Sequence, residues 1–168
     1  MIKPMQTSII LGIDPGLAAT GYAVLKKQGP QQTCLEYDSI ITSAKENLEN
    51  RLFEIQQRIE KVFQTYPIDS CAIENIYFQK NVSSAILVAH AIGVMMITAR
   101  KHHCPVFRYS PTEIKQAICG DGRAEKEQIK RMLAILFPTI PVPKSSHAAD
   151  AIAIAVCHLA THRLHSYL

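Results

Sequence analysis

Two patterns of apolar residues divide the chain, and the first of them predicts β-strands near the N-terminus. Ser8–Ile13 is a run of mainly aliphatic residues, and the segments Gly21–Lys27 and Cys34–Ile41 follow it. Gly29 and Pro30 lie between the second and third segments and are typical of a tight turn. The pattern therefore predicts three consecutive antiparallel strands.

The second pattern has the 3.6-residue period of an amphipathic helix. The sequence SAKE at Ser43–Glu46 matches a capping box, in which serine and glutamate bond each other's backbone amides at a helix start. Pro67 ends the pattern. The helix predicted between these limits has an apolar face made of Leu48, Leu52, Ile55, Ile59, Val62, Phe63 and Tyr66.

Strands and helices alternate in the middle of the chain. Ser70–Ile73 predicts a buried fourth strand, after which a carboxylate, Glu74, stands at the strand end. Ser83–His102 predicts a helix so apolar that it must be largely enclosed, and Pro105–Tyr109 predicts a fifth strand.

Three helices complete the chain. The sequence SPTE at Ser110–Glu113 is a second capping box, and Gly120 and Gly122 end the short helix that it begins. Ala124–Phe137 and a segment from Ser146 to about Arg163 predict the other two. The order of elements predicts one α/β domain over residues 1–168. Its five-stranded mixed sheet, three antiparallel strands and then two parallel ones, is flanked by helices on both faces.

Composition agrees with one globular domain and adds little about function. The chain has 168 residues, of which 48% are apolar and 19% charged, and a net charge of +4 that would suit a polyanionic partner. The longest apolar run, Ala85–Ile97, is shorter than a bilayer span, and no signal pattern begins the sequence, so we expect a cytoplasmic protein. Scattered cysteines predict reduced core residues at Cys34, Cys71, Cys104, Cys119 and Cys157.

Four polar residues stand out against this apolar background. Asp14 and Glu74 each follow a predicted core strand, and the two carboxylates meet if those strands are neighbours. His147 and Asp150 are three residues apart, which places them on one face of the last helix. Clustered carboxylates repel each other and are expected to hold Mg²⁺ or Mn²⁺, two of which can catalyse phosphodiester hydrolysis.

Each of these residues also has a plain structural interpretation. Asp14 precedes Pro-Gly and could cap a turn, and Glu74 could be a solvated residue at a sheet edge. His147 and Asp150 could be ordinary residues of a first helical turn, where acids are favoured. The local sequence leaves these alternatives open.

Four motifs taken together resemble the RuvC family of bacterial Holliday junction resolvases. They are LGIDPG followed by TGYAV, AIENIY at Ala72–Tyr77, AEK at Ala124–Lys126 and HAADAIAIA at His147–Ala155, in the same order over nearly the whole chain. The resemblance implies a ribonuclease H-like fold and a homodimer. It also implies Mg²⁺- or Mn²⁺-dependent paired nicks in a four-way DNA junction, in homologous recombination and DNA repair.

The resemblance assigns catalytic and metal-binding roles to the same residues. Asp14, Glu74 and Asp150 fall on the catalytic acids of the family, with two metal ions expected per subunit. His147 falls on a fourth position, where many members have an aspartate and others a histidine. The imidazole could favour Mn²⁺, position the attacking water or contact the phosphate.

DNA contacts are expected from basic and aromatic residues near these acids. Lys115, Arg123, Lys126 and Lys130 are candidates for phosphate contacts, with a solvated cationic face as the alternative; Lys80 and Lys144 are weaker candidates. Two aromatic residues follow Glu74. The resemblance implies that Tyr77 stacks on bases at the opened crossover, although local pattern alone favours a core residue there, as it does at Phe78.

Two symmetric cuts require two copies of the site, so a dimer is expected. The apolar helix Ser83–His102 is the candidate interface, and burial within the monomer is the alternative for one of its faces. The resemblance also implies work beside the RuvA and RuvB branch-migration complex. Three other functions stay open: a sugar-kinase or actin-like nucleotide-binding fold, a ribonuclease H-like enzyme that processes ribosomal RNA precursors, and a junction-binding module without catalysis.

Overall fold

The computed structural model describes residues 7–75, 82–141, 143 and 145–165. One mixed sheet of five strands organises them in the order β3-β2-β1-β4-β5. The first three strands pair antiparallel, whereas β4 is parallel to β1 and β5 is parallel to β4, which confirms the predicted sheet. The strands are β1 (Thr7–Asp14), β2 (Ala19–Gln28), β3 (Gln31–Ile41), β4 (Ser70–Glu74) and β5 (Val106–Tyr109).

Helices cover both faces of this sheet, as predicted. Helices α1 and α2 form one apolar core with the sheet, and α3, α4 and α5 form the other. Nearly every residue of α5 from Ala148 to Leu159 is buried, because α5 lies between the sheet and the two shorter helices. The helices are α1 (Leu48–Thr65), α2 (Val82–Lys101), α3 (Pro111–Cys119), α4 (Lys126–Leu136) and α5 (Ser146–His165).

Alternation along the strands assigns each residue to one of the two cores. Leu11 and Ile13 of β1 pack in the core with α1 and α2, whereas Ile10 packs in the core with α5. Successive side chains of a strand point to opposite faces, so Gly12 and Asp14 also lie on the α5 face. The first predicted site residue is therefore directed at the helix that carries two others.

Helix α1 begins later than the SAKE sequence predicts. Asn47 is its N-cap, and the Asn47 side chain accepts a hydrogen bond of 3.0 Å from the amide of Asn50. Segment Ser43–Glu46 forms a turn instead. The buried Thr42 donates its hydroxyl to the carbonyl of Leu17 at 2.6 Å, which holds the end of β3 against the sheet. The capping box predicted at Ser43–Glu46 is therefore wrong. This tertiary contact holds the end of β3 just before the turn, and the helix begins after the turn.

The second capping box is confirmed. The Ser110 amide donates to the Glu113 carboxylate at 2.7 Å, and the Glu113 amide donates to the Ser110 hydroxyl at 3.1 Å. Pro111 is the first residue of α3, and Gly120 ends that helix in the left-handed conformation at φ 72°. Helix α3 is therefore fixed at both ends beside the carboxyl end of β5.

Helix α2 has a buried face and an exposed apolar face. Its segment Ser83–Lys101 is long and apolar enough to cross a membrane, by length and composition. The sequence prediction considered only the run Ala85–Ile97, which is shorter than a bilayer span. A helix with one face in a protein core meets the same criteria, and Ala91, Ile92, Met95 and Ala99 are buried in the core with α1. The exposed face includes Ile86, Leu87, Met96 and Ile97.

Candidate active site

The register of the parallel strands β1 and β4 brings the first two acids together. Ile13 pairs with Ile73, so the next residues, Asp14 and Glu74, end adjacent strands at the same edge of the sheet. Both carboxylates project towards α5, since each lies one residue beyond an isoleucine of the opposite core. The predicted meeting of these acids follows directly from the strand order.

Glycines in the sheet let α5 approach these strand ends closely. A Cβ placed on Gly21 would overlap the backbone carbonyl of His147, and one placed on Gly12 would overlap the carbonyl of Ala151. Helix backbone therefore rests on strand backbone at both points. Gly21 is paired with Asp14 in the sheet, so the closest approach lies beside the first acid.

The first turn of α5 completes the group of site residues. His147 Nδ1 lies 2.7 Å from Asp14 Oδ2, and this hydrogen bond joins the helix to the end of β1. Asp150 lies one turn further along α5 and lines the same cavity as Asp14, Glu74 and His147. The structure thus places the four predicted residues in one site.

Burial raises the pKa values of all three acids, and repulsion between carboxylates adds to this effect at Asp14 and Glu74. Burial is the main cause for Asp14, whose pKa is also raised by the Asp150 charge and lowered by the His147 hydrogen bond. Burial, followed by the charges of Asp14 and Asp150, raises the pKa of Glu74 to about 7. Burial likewise raises the pKa of Asp150, against the opposing effect of Lys126. Three carboxylates are therefore held where their ionisation is costly without a cation.

Lys126 supplies positive charge at the rim of the site. Its Nζ lies 3.9 Å from Asp150 Oδ2, and 74% of its side chain is exposed. Lys126 is the first residue of α4, where the positive end of the helix dipole disfavours a cation. Lys126 therefore does not stabilise α4. Its position is better explained by the positive charge that it brings to the site.

The four residues share a cavity of about 320 Å³. Two of the lysines predicted to contact DNA, Lys115 and Lys126, also line it. Its apolar lining residues come from α3, α4 and α5 and are Pro111, Ile114, Ile129, Ala153 and Ile154.

The donor set fits hard divalent cations. Three carboxylates with raised pKa values offer oxygen ligands and excess negative charge, which Mg²⁺ and Mn²⁺ neutralise. Within the described residues, no three His, Cys, Asp or Glu side chains are grouped closely enough to enclose a metal ion. Substrate and water would therefore have to supply further ligands to an ion held by these carboxylates.

The remaining predicted DNA contacts lie elsewhere or outside the described residues. Arg123 and Lys130 are not among the described residues that line this cavity; Lys130 pairs with Glu127 at 2.8 Å on the surface of α4. The predictions for Tyr77, Phe78, Lys80 and Lys144 fall outside the described residues.

Two histidines away from the site have structural contacts. His158 is fully buried, with Ser70 Oγ 2.8 Å from Nε2 and the Tyr109 hydroxyl 2.7 Å from Nδ1. His102 stacks on Phe63 and lies 2.7 Å from a carboxylate oxygen of Glu60.

Sequence reasoning missed the two glycines on which α5 rests. A close approach of a helix to a sheet needs small residues on both surfaces, and α5 supplies alanines on its side. Gly12 and Gly21 are isolated glycines within strands, a signal that often marks close backbone approach.

Comparisons with known proteins give a consistent result. The family model described as "Crossover junction endodeoxyribonuclease RuvC" matches residues 10–158. The chain is 43% identical to RuvC of Petrotoga mobilis over 150 residues, which cover 89% of this chain and 92% of the relative. It is also 43% identical to RuvC of Treponema pallidum over 161 residues, covering 94% of this chain and 82% of the relative.

Solved structures agree with the sequence comparisons. Thermus thermophilus RuvC in complex with a Holliday junction substrate has a TM-score of 0.90 and 30% identity, covering 95% of this chain and 97% of that one. The yeast mitochondrial Holliday junction resolvase Ydc2 has a TM-score of 0.70 at 13% identity, covering 99% and 86% respectively. The second likeness concerns the fold alone.

The sheet order and the acids at adjacent strand ends define the class of the chain, a nuclease of the ribonuclease H-like fold, as predicted. The match over residues 10–158 is specific to one group within that class. The chain belongs to the RuvC family of crossover junction endodeoxyribonucleases.

Proposed function

We propose that this chain resolves four-way DNA junctions by metal-dependent hydrolysis of phosphodiester bonds, and that residues 1–168 form one nuclease domain. Asp14, Glu74 and Asp150 would hold the metal, and His147 would act beside them. One observation carries this assignment: three acids with raised pKa values converge with a histidine in a cavity edged by two lysines. A turn cap or a solvated edge acid would not lie in such a group.

The metal requirement follows from the chemistry of the side chains. We propose Mg²⁺, with Mn²⁺ as a second active ion and two ions per subunit. Bound divalent ions activate water and stabilise the leaving oxygen of a phosphodiester. The carboxylates would hold these ions, and the hydrogen bond between His147 and Asp14 would orient one carboxylate oxygen.

Lysines that line the cavity would bind the DNA backbone. Lys115 and Lys126 line the same cavity as the acids, so they are the best placed of the predicted contacts. Arg123 and Lys130 would extend the basic surface along α4, and Tyr77 would stack on a base at the crossover. These roles stay proposals.

The exposed face of α2 would form the interface of a homodimer. It presents large apolar side chains, including Ile86 and Ile97, which are 50% and 62% exposed. Phe53 of the neighbouring helix α1 is 60% exposed as well. Apolar area of this kind is more typical of an interface than of a solvated surface. A partnership with RuvA and RuvB, and a cytoplasmic location, stay predictions.

Metal removal tests the proposed hydrolysis. A synthetic four-way junction should receive paired nicks in opposite strands with Mg²⁺ or Mn²⁺ and none in EDTA, measured by denaturing electrophoresis of labelled strands. A linear duplex of the same sequence is the control and should stay intact. Cleavage in EDTA would contradict the metal site, and junction binding without cleavage in any metal would favour a binding module. A solution mass of 18.7 kDa at assay concentration would contradict the dimer alone.

We expect the metal requirement to grow as the pH falls. The pKa of Glu74 is raised to about 7, so a proton competes with metal for this carboxylate below neutral pH. If Glu74 dominates, the Mg²⁺ concentration for half-maximal cleavage should rise by about twofold from pH 8 to 7 and by about fivefold from pH 7 to 6. Cleavage rates measured across a Mg²⁺ titration at each pH provide the test. A half-maximal Mg²⁺ concentration that is constant over this range would show that protonation of Glu74 does not compete with metal binding.

A further inference from the structure

A single row of paired residues crosses three strands beneath the start of α5. Asp14 of β1 pairs with Gly21 of β2, and Gly21 pairs with Ser39 of β3. Neighbouring strands are about 5 Å apart, so the row spans about 10 Å of the sheet. Each member of the row meets the beginning of α5.

The three contacts differ in kind. Asp14 accepts the hydrogen bond of His147, and Gly21 lies against the His147 carbonyl. Ser39 donates its hydroxyl to the Ser145 hydroxyl at 2.6 Å, in a half-buried position. Hydrogen bonds constrain direction and distance, whereas apolar contacts do not. The Ser39–Ser145 bond is therefore the contact that ties the start of the helix to the outer part of the sheet.

Ser145 is the residue from which α5 begins. The Ala149 amide donates to the Ser145 carbonyl at 3.3 Å, which places Ser145 at the N-cap. An N-cap serine usually bonds an amide of its own helix. Here the Ser145 hydroxyl accepts a hydrogen bond from Ser39, so the position of the cap is tied to β3. His147 follows two residues later, and Asp150 lies on the next turn.

Directional contacts matter because the rest of α5 is packed by small apolar residues. Its buried face is rich in alanine, which gives a smooth surface with little to fix the helix along its axis. The second polar anchor is His158, with Ser70 Oγ at 2.8 Å. That anchor lies 13 residues beyond Ser145, about 20 Å along a helix. The bond to Ser39 thus lies at the catalytic end of the helix, beside the bond between His147 and Asp14.

We propose, building on the function proposed above, that Ser39 and Ser145 are positioning residues of the nuclease site. Their hydroxyl pair fixes where α5 begins over the sheet, and thereby holds His147 and Asp150 opposite Asp14 and Glu74. The pair does not touch the substrate. Its effect is on the reacting geometry, where a displacement of about 1 Å can reduce the rate by about 100-fold.

Three substitutions separate positioning from stability. Ser39→Ala and Ser145→Ala each remove one hydroxyl, and Ser39→Thr retains it. Ser146→Ala is the matched control, because Ser146 is an exposed serine one position along the same helix. Junction is bound without metal, Mg²⁺ is added, and the first-turnover cleavage rate is measured beside the junction affinity and the unfolding midpoint.

We expect Ser39→Ala and Ser145→Ala each to lower the cleavage rate by about tenfold, with junction affinity unchanged within about twofold. The double variant should be no slower than the slower single variant, because both changes remove the same bond. Ser39→Thr and Ser146→Ala should stay within about threefold of the parent. Parent-like cleavage by Ser39→Ala, or multiplicative losses in the double variant, would overturn the positioning role.

A second measurement does not depend on cleavage activity. In the metal-free protein, the imidazole ¹⁵N shifts of His147 report its hydrogen bond with Asp14. They should move in Ser39→Ala and stay at the parent values in Ser146→Ala. If the parent protein does not cleave junctions, the proposed function fails while this measurement still decides the positioning role. Unchanged shifts in Ser39→Ala would overturn that role.

Discussion

Asp14→Asn should reduce junction cleavage by roughly 1,000-fold or more while junction binding is kept, because Asp14 is proposed to hold the metal together with the other acids as one catalytic unit. Asparagine has the shape of aspartate and its oxygen can still accept from His147, but it removes one negative charge from the metal site. It also removes a charge that repels DNA phosphate, so junction affinity without metal should be equal or higher. First-turnover cleavage and binding of a labelled junction measure the two effects.

The same variant should be at least as stable as the parent at neutral pH. Burial raises the pKa of Asp14 in the fold above its unfolded value. A carboxyl with a raised pKa favours folding most below the unfolded pKa, and this contribution is lost as the pH rises through the folded pKa. Ionised Asp14 therefore destabilises the metal-free fold at pH 7, and the neutral amide removes that cost. An unfolding midpoint above that of the parent, together with lost cleavage, would show that Asp14 lowers the stability of the fold in favour of function.

Asp38→Asn is the matched control for Asp14→Asn. Asp38 lies on β3 with 57% of its side chain exposed and pairs with Arg58 at 3.3 Å, so the same chemical change should leave cleavage within about twofold. If Asp14→Asn cleaved within tenfold of the parent, or lost binding and cleavage equally, Asp14 would not be a metal ligand.

The acids and the histidine of the candidate site could be predicted because they depart from local rules. An acid at the end of an apolar strand, as at Asp14 and Glu74, adds nothing to the stability of the core. Its position after the apolar run is visible in the sequence. The i, i+3 spacing of His147 and Asp150 needs only the helix period. The structure adds the register of β1 and β4, which makes two strand-end acids into one site.

Residues that position the chemistry could not be predicted in the same way. Ser39 is a polar residue of an edge strand, where solvent exposure is the ordinary explanation, and its bond to Ser145 joins segments 106 positions apart. The start of α1 was mispredicted for a related reason, since a tertiary bond of Thr42 holds the preceding turn. Local patterns contain the propensity for a cap or a strand, but not the distant contact that selects among them.

Gly21→Ala should lower both stability and cleavage, although local propensity predicts the opposite. Replacing a strand glycine with alanine at a compatible backbone position usually stabilises by about 0.4–1 kcal/mol through the unfolded state. At Gly21 the new methyl group would overlap the His147 carbonyl, a backbone group that cannot rotate away. Overpacking of this kind costs about 1–3 kcal/mol, so the net effect should be a loss of about 1–2 kcal/mol.

The loss of cleavage should exceed what the loss of stability explains. Relief of the overlap requires α5 to move away from β2 at His147, which lengthens the Asp14–His147 contact and withdraws Asp150 from Glu74. A shift of about 1 Å in reacting groups can cost about 100-fold in rate, and we expect a loss of that size in protein that is still folded. Denaturant unfolding and first-turnover cleavage at the same temperature separate the two effects.

Gly93→Ala is the control, because nothing lies within 4 Å of a Cβ placed on Gly93 in α2. Alanine there should stabilise by up to about 1 kcal/mol through helix propensity. Because Gly93 is exposed on the α2 face proposed as the dimer interface, it is a control for stability and not for cleavage. Opposite signs for the same substitution at the two glycines would show that close backbone contact, rather than propensity, decides the effect at Gly21. A Gly21→Ala protein as stable as Gly93→Ala and as active as the parent would mean that α5 can move without disturbing the acids, and the catalytic geometry would then depend on something other than the position of this helix on the sheet.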